Sequence, residues 1–171
     1  MMKPTNYVEL TERTPAHPSY KPGQSMETLG FPEQFVVWAV RIGWAHHSGS
    51  RDAQMLLHGA FDKLDMPEGA ELIDDLISRL GATIARPLAF PCPKWRSLTG
   101  DEARLLSFLA ALQSQGNMPF DECPASLDMR WPSQLWRASH RLALALSASG
   151  LYLGIGFGGS GAFPNSMPSV H

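Results

Sequence analysis

Apolar positions follow a helical period in five separate segments of the chain, and no segment alternates steadily between apolar and polar residues. Side chains three and four positions apart share one face of an α-helix, so this period predicts five helices and an all-α fold. We expect an orthogonal or antiparallel bundle of about five helices. In segments two to five the predicted buried positions are Ala53, Leu56, Leu57, Ala60, Phe61 and Leu64; Leu72, Ile73, Leu76, Ile77 and Leu80; Leu105, Leu106, Phe108, Leu109 and Leu112; and Leu135, Ala138, Leu142, Ala145 and Leu146.

The first segment, residues 32–47, differs from the others because it is apolar on every side. Between Phe35 and Ala45 its only charged residue is Arg41. A helix that is apolar all round is a buried helix, so this segment is predicted to be the central one. A charge in such a helix needs an acidic or carbonyl partner, or an outlet to solvent. Arg41 and the terminal His47 therefore predict a polar site near the central helix.

Capping residues predict where the other helices begin and end. Ser50 follows a short loop and can cap the second helix, and the segment Asp65–Glu68 has the form of a capping box for the third. Gly81 is the predicted end of that third helix. Thr99 stands three residues before Glu102, which predicts the start of the fourth helix. Gly150 and Leu151 predict a Schellman-type end for the fifth.

Two connectors rich in proline separate these helices. Residues 82–96 contain three prolines, which exclude a long helix, yet they also carry several large apolar side chains, among them Trp95. Such a segment is too apolar for a free loop, so we expect an extended strap packed over the bundle. Residues 117–131 form a second connector of this kind.

The predicted domain organisation is a single helical domain, residues 31–153, between two irregular ends. Residues 1–30 are rich in proline and polar residues and lack any sustained period, which predicts an extended or disordered arm. As an alternative to disorder, the isolated aromatic and aliphatic residues of this arm could anchor it on a neighbouring helix or on another subunit. Residues 154–171, with several glycines, predict a flexible tail.

The charge balance argues against a polyanionic partner. The chain of 171 residues has 14 Lys and Arg against 16 Asp and Glu, a net charge of −2. That charge produces no general attraction to nucleic acid or to an anionic membrane. No apolar run approaches the roughly 18 residues of a spanning helix, and the first residues lack the apolar core of a signal peptide. Two cysteines suit a reducing compartment, so we expect a soluble, cytoplasmic protein without membrane partners.

Histidine and cysteine residues raise the question of a metal site. His46 and His47 end the first helix, and His58 follows eleven residues later in the second. Together with Cys92 they are the candidate ligands, because imidazole and thiolate groups bind transition metals. The interpretation that we favour is that the paired histidines only cap the negative end of the helix dipole, with no metal present.

Each cysteine is followed by proline, as Cys92-Pro93 and Cys123-Pro124. These dipeptides resemble the short haem-responsive motif, in which a thiolate ligates iron and the proline directs the chain away. The resemblance implies a metal- or haem-responsive sensor that uses these sites with His46 and His47. A buried thiol at the end of a turn is the simpler interpretation, and we expect no cofactor.

The fifth helix has more apolar surface than one buried face requires. Trp136, His140 and Leu144, with Ala143, form a second stripe on the side away from the predicted core. The strap, the arm or another copy of the chain could cover this stripe. Two-fold dimers are the commonest oligomers and aromatic residues are favoured anchors, so we predict a homodimer interface here.

Three arginines predict a basic stripe on the same helix. Arg137 and Arg141 are four residues apart, and Arg130 joins them if the helix begins early. Such a stripe could bind phosphates, which makes a weak nucleic-acid binder an alternative. Salt bridges to acidic residues of a neighbouring helix are the favoured explanation, because nonspecific nucleic-acid binding usually requires more phosphate contacts than three.

No catalytic signature is present in the sequence. No Ser lies in a G-x-S-x-G elbow, and neighbouring acidic pairs such as Asp74 and Asp75 point in different directions on a polar face. Enzymatic activity is not indicated, although scattered residues can assemble a site. We therefore expect a non-enzymatic protein-interaction or regulatory module that binds itself or another protein.

Overall fold

The structure is a computed structural model that describes residues 18–115 and 133–154. Over these ranges it contains five α-helices, a short 3₁₀ helix and no β-strand, which confirms the all-α prediction. The 3₁₀ helix spans Met26–Thr28, and the α-helices are α1 Phe31–His47, α2 Arg51–Asp62, α3 Gly69–Thr83, α4 Gly100–Gln115 and α5 Ser133–Ala148.

The helices pack around one apolar core. α1 contacts α2, α3 and α4, while α3 contacts α1, α2 and α5, and α4 also packs on α5. α1 buries side chains in several directions, as its apolar composition predicts. Its buried apolar residues are Phe35, Val36, Val37, Ala39, Val40 and Ile42. α4 is buried as extensively, through Ala103, Leu105, Leu106, Phe108, Leu109, Ala110, Ala111 and Leu112.

Two of the predicted helix ends have the expected hydrogen bonds. At the start of α4, the Glu102 backbone N–H donates to Thr99 Oγ1 at 3.2 Å, and the Thr99 N–H donates to Glu102 Oε2 at 2.9 Å. These are the two reciprocal bonds of a capping box. At the end of α5, Gly150 is left-handed and the Leu151 N–H donates to the Leu146 carbonyl at 2.8 Å. This 6→1 bond is that of a Schellman motif.

The predicted boundaries of α3 are wrong at both ends. The helix begins at Gly69, beyond the predicted capping box, and its cap residue Glu68 makes no side-chain capping bond. The predicted cap residue, Asp65, has a left-handed backbone with φ of 58°, whereas an N-cap residue is extended. Met66 is fully buried, and a Cβ on Gly69 would lie only 2.1 Å from the Phe61 ring, so α2 and α3 pack tightly where the helix begins. At the other end the helix continues past Gly81 to Thr83, because an exposed glycine weakens a helix without ending it.

The strap packs over the bundle through its first half. Ile84, Leu88 and Phe90 are half-buried against the core, and the Phe90 ring meets the edge of Trp44 at 5.2 Å between centroids. Trp95 does not follow them, since its side chain is 54 % exposed. The Trp95 backbone remains on the body, because its carbonyl accepts a hydrogen bond from the buried Arg41, and only its side chain is turned to solvent.

Segments near both ends of the described chain lie on the helical body. Residues 23–26 run antiparallel to residues 96–98, with the Met26 N–H donating to the Arg96 carbonyl at 2.8 Å. Leu29 and Leu153 are buried. The part of the predicted arm from residue 18 onward is therefore packed. Residues 1–17 and 155–171 lie outside the described residues, and the division into arm, domain and tail stays a prediction.

No helix in the described ranges is long and apolar enough to cross a membrane.

Candidate functional site

Arg41 forms the most buried polar cluster that the structure describes. Its side chain is 1 % exposed, and so is that of its partner Glu102. The Arg41 Nε–H donates to Glu102 Oε1 at 2.6 Å and Nη2–H donates to Oε2 at 2.9 Å, which makes the pair bidentate. Nη1 and Nη2 also donate to the carbonyls of Trp95 and Ser97, at 2.5 and 3.0 Å. Arg41 thus has both the acidic and the carbonyl partners that the sequence called for.

This cluster joins α1, α4 and the strap. Glu102 accepts from Arg41 while also closing the capping box at the start of α4. Next to it, Asp101 accepts from the strap's Arg86 at 3.0 Å and from the Ala89 N–H at 2.9 Å. The hydrogen bond from Arg86 is the main reason why the pKa of Asp101 is lowered. Because the guanidinium of Arg41 is enclosed and bonded, we interpret the cluster as a clamp on the strap.

The paired histidines at the end of α1 bind different partners. His46 Nδ1 lies 3.2 Å from the Ser50 carbonyl, which can only accept, so this nitrogen carries the proton. His47 Nε2 lies 3.0 Å from Asp74 Oδ1 and 3.4 Å from the Ser78 hydroxyl oxygen, both on α3. The structure therefore does not unite His47 with Arg41 in one polar site, since Arg41 meets α4 and the strap.

A small open hollow of about 80 Å³ lies between α1, α2 and α3. His46, His58, Glu71 and Asp74 line it, so two of the predicted metal ligands do border one space. Over residues 18–115 and 133–154, however, no group of three or more His, Cys, Asp or Glu side chains is arranged to hold a metal ion. Cys92 is a free, exposed thiol on the strap, and Cys123 lies outside the described residues. The set His46, His47, His58 and Cys92 is not assembled.

Of the predicted stripe on α5, Trp136 and His140 are half-buried and only Leu144 is exposed. The rings of Trp136 and His140 stack at 4.7 Å between centroids with 11° between their planes. One turn further on, Leu144 is 47 % exposed. Ala143 does not belong to this face, since it is 1 % exposed and its carbonyl accepts from Gln113 of α4 at 3.4 Å. α4 packs on that side of α5, which the helical period alone does not reveal.

The basic stripe is partly neutralised by α3. Arg141 Nη1 lies 3.9 Å from Asp75 Oδ2, and Arg79 Nε lies 3.2 Å from Asp75 Oδ1. Arg137 is exposed, and Arg130 lies outside the described residues. The contact of Arg141 is the kind of interhelical salt bridge that the sequence allowed as an alternative to phosphate binding.

Two features were missed from the sequence. Glu33, in the first turn of α1, is buried and accepts from the Tyr20 hydroxyl at 2.9 Å and from the Gly154 N–H at 2.6 Å. Burial and the nearby carboxylate raise the pKa of Tyr20 well above its usual value. The second feature is the exposed Trp95, and the cations Lys94 and Arg96 beside it were the signal in the sequence that could have marked it.

Comparison with protein-family models, with curated proteins and with solved structures finds no match.

Proposed function

We propose that this chain is a non-enzymatic protein-interaction module that associates with a second copy of itself through the outer face of α5. The main observation behind this proposal is the exposure of Leu144, whose side chain is 47 % exposed. Leu144 lies one helical turn after His140, on the same face as the stacked rings of Trp136 and His140. An exposed leucine in line with a flat aromatic pair offers apolar area for burial, and aromatic residues are enriched in interfaces.

The spacing of this stripe supports a second copy as the occupant. His140 lies midway between Trp136 and Leu144, four residues from each. A two-fold axis beside His140 therefore sets Trp136 of one protomer against Leu144 of the other, on both sides of the axis. Such a self-complementary pairing is what a two-fold interface requires. The exposed Arg137 and Arg141 supply part of a polar rim.

Sedimentation velocity across micromolar concentrations tests the proposal. The wild-type chain is expected to shift from monomer to dimer as concentration rises, and Leu144→Asp is expected to remain monomeric because it puts a charge into an apolar contact. Met55→Asp is the matched control, since Met55 is a large apolar side chain of α2 with 71 % exposure. A wild-type chain that stays monomeric throughout, or a Leu144→Asp variant that still dimerises, contradicts the proposal.

The two alternatives draw less support from the geometry. A metal- or haem-responsive sensor would use His46 and His47, which already bind Ser50 and Asp74. Haem titration followed by visible absorption, and zinc titration followed by the melting temperature, test it. A nucleic-acid binder would use the arginines of α5, and Asp75 offsets part of their charge. Retention on DNA or RNA that falls steeply with salt would favour that alternative.

A further inference from the structure

The strap carries a tight turn at residues 92–96, which we call the Trp95 turn. The Trp95 N–H donates to the Cys92 carbonyl at 3.0 Å, and Pro93 occupies the second position of the turn. Proline at this position sets the backbone angle that such a turn needs. The local sequence therefore favours this conformation before any partner arrives.

The rest of the protein holds the backbone of this turn. The Trp95 carbonyl accepts from the buried Arg41 at 2.5 Å, and Arg41 is itself fixed by Glu102. The Arg96 carbonyl accepts from the Met26 N–H at 2.8 Å. With the backbone fixed on both sides, little conformational entropy remains to be lost when the turn binds something.

The side chains of the turn face solvent. Trp95 is 54 % exposed, although tryptophan is highly buried on average. Lys94 is exposed, and the Arg96 side chain is 88 % exposed. Tryptophan and arginine are the residues most enriched among the anchors that dominate binding energy in protein interfaces.

We infer that the Trp95 turn docks onto an acidic protein surface. Trp95 enters an apolar pocket of the partner protein, and Lys94 and Arg96 meet carboxylates at the rim of that pocket. Charge complementarity supports this partner. Arg96 already lies 3.5 Å from the Glu27 carboxylate, and because both side chains are largely exposed, that contact is weak and exchangeable.

The composition of the turn favours a protein over the other anionic partners. Single-stranded nucleic acid is held by several stacking aromatic residues and a positive groove, whereas this turn has one tryptophan and two cations, one of them beside Glu27. An anionic bilayer contributes about 1 kcal/mol for each nearby cation, so two cations with a single tryptophan bind it weakly. One tryptophan in a protein pocket can dominate an interface.

A photo-cross-linker placed on the turn identifies the partner. The chain has two cysteines, so a Cys123→Ser variant leaves Cys92, an exposed thiol, as the only attachment point for a benzophenone maleimide. The labelled full chain is irradiated in an extract of the cells that naturally produce it, and adducts are identified by mass spectrometry. Capture alone does not decide the question, so the captured protein is then purified and its affinity for the unlabelled chain is measured by calorimetry.

Trp95→Ala is expected to weaken binding at least tenfold, and the double substitution Lys94→Glu with Arg96→Glu is expected to do the same. Met55→Ala, at a more exposed apolar side chain on α2, should stay within twofold of wild type. Circular dichroism melts establish that each variant is folded. The inference is overturned by the absence of a protein adduct, by adducts only with nucleic acid, lipid or a second copy of the chain, or by a Trp95→Ala affinity within twofold of wild type. Leu144 lies on α5, outside the Trp95 turn, so the affinity for the captured protein can also be measured with Leu144→Asp. A failure of dimerisation through α5 can therefore be distinguished from a failure of docking through the Trp95 turn.

Discussion

At the scale of single residues, the Arg41–Glu102 pair places two opposite charges where water does not reach. Each side chain is 1 % exposed. Removing one charge from such a pair leaves the other buried and uncompensated, which is strongly destabilising, although the pair as a whole need not stabilise the fold. The pair also fixes the backbone beneath Trp95, so its loss should loosen the strap.

We predict that Glu102→Gln lowers the free energy of unfolding by about 3 to 5 kcal/mol. Glutamine can still accept the Thr99 N–H bond of the capping box, so the substitution removes the charge and keeps the cap. Urea denaturation measures the change. Glu27→Gln is the matched control, because its ion pair with Arg96 is exposed and should contribute below about 1 kcal/mol. A loss of stability for Glu102→Gln as small as that of the control would show that the buried charge of Arg41 does not require the carboxylate of Glu102.

At the scale of elements, two glycines show how helix propensity and side-chain packing can have opposite effects on stability. Gly59 is exposed within α2 and a Cβ there would meet nothing within 4 Å, whereas a Cβ on Gly69 would lie 2.1 Å from the Phe61 ring. Both glycines are helical. Helix propensity favours alanine at Gly59, inside α2, and less strongly at Gly69, the first residue of α3. Packing, in contrast, predicts effects of opposite sign at the two positions.

We predict that Gly59→Ala raises the free energy of unfolding by about 0.5 to 1 kcal/mol, because alanine has less conformational freedom to lose. Gly69→Ala should lower it by about 1 to 3 kcal/mol, since the added methyl group displaces the Phe61 ring. Thermal and urea denaturation of both variants check the signs. Stabilisation by Gly69→Ala would mean that the start of α3 can relax around Phe61.

The helices could be predicted from the sequence because the period of apolar residues is a local signal. The box at Thr99 and Glu102 is equally local, and its two hydrogen bonds are formed. The start of α3 could not be predicted in this way, because Asp65 has the residue type of a cap but a left-handed backbone, which the spacing of residue types does not reveal.

Contacts between distant segments were beyond the sequence pattern. The sequence states that Arg41 needs a partner, but not that the partner is 61 residues away. The same holds for Ala143, whose burial depends on where α4 lies. Candidate site residues chosen from one helix at a time are therefore placed without knowledge of the helices that pack beside them, which is why Ala143 was assigned to an exposed stripe although it is buried.

At the scale of the whole molecule, Glu33 joins segments from both ends of the described chain. Its Oε1 accepts the Tyr20 hydroxyl at 2.9 Å and the Gly154 N–H at 2.6 Å. Glu33 is 4 % exposed, so the shared acceptor is buried although Tyr20 is half-buried and Gly154 is exposed. A carboxylate at the first turn of α1 also lies where the helix dipole favours negative charge. The residues before α1 and those after α5 are thus held by one acceptor.

We predict that Tyr20→Phe loosens this junction without unfolding the helices. Losing a hydrogen bond to a charged acceptor should cost about 1.5 to 3 kcal/mol. The Gly154 amide shares that acceptor, so it should exchange its hydrogen faster in Tyr20→Phe, while amides in the middle of α4 slow down or speed up only with global stability. Tyr152→Phe is the matched control, because its side chain is 46 % exposed. Hydrogen exchange measured by NMR distinguishes a local change at Gly154 from a change in global stability. Unchanged exchange at Gly154 in Tyr20→Phe would mean that the two ends of the described chain are held independently, with Glu33 serving each alone.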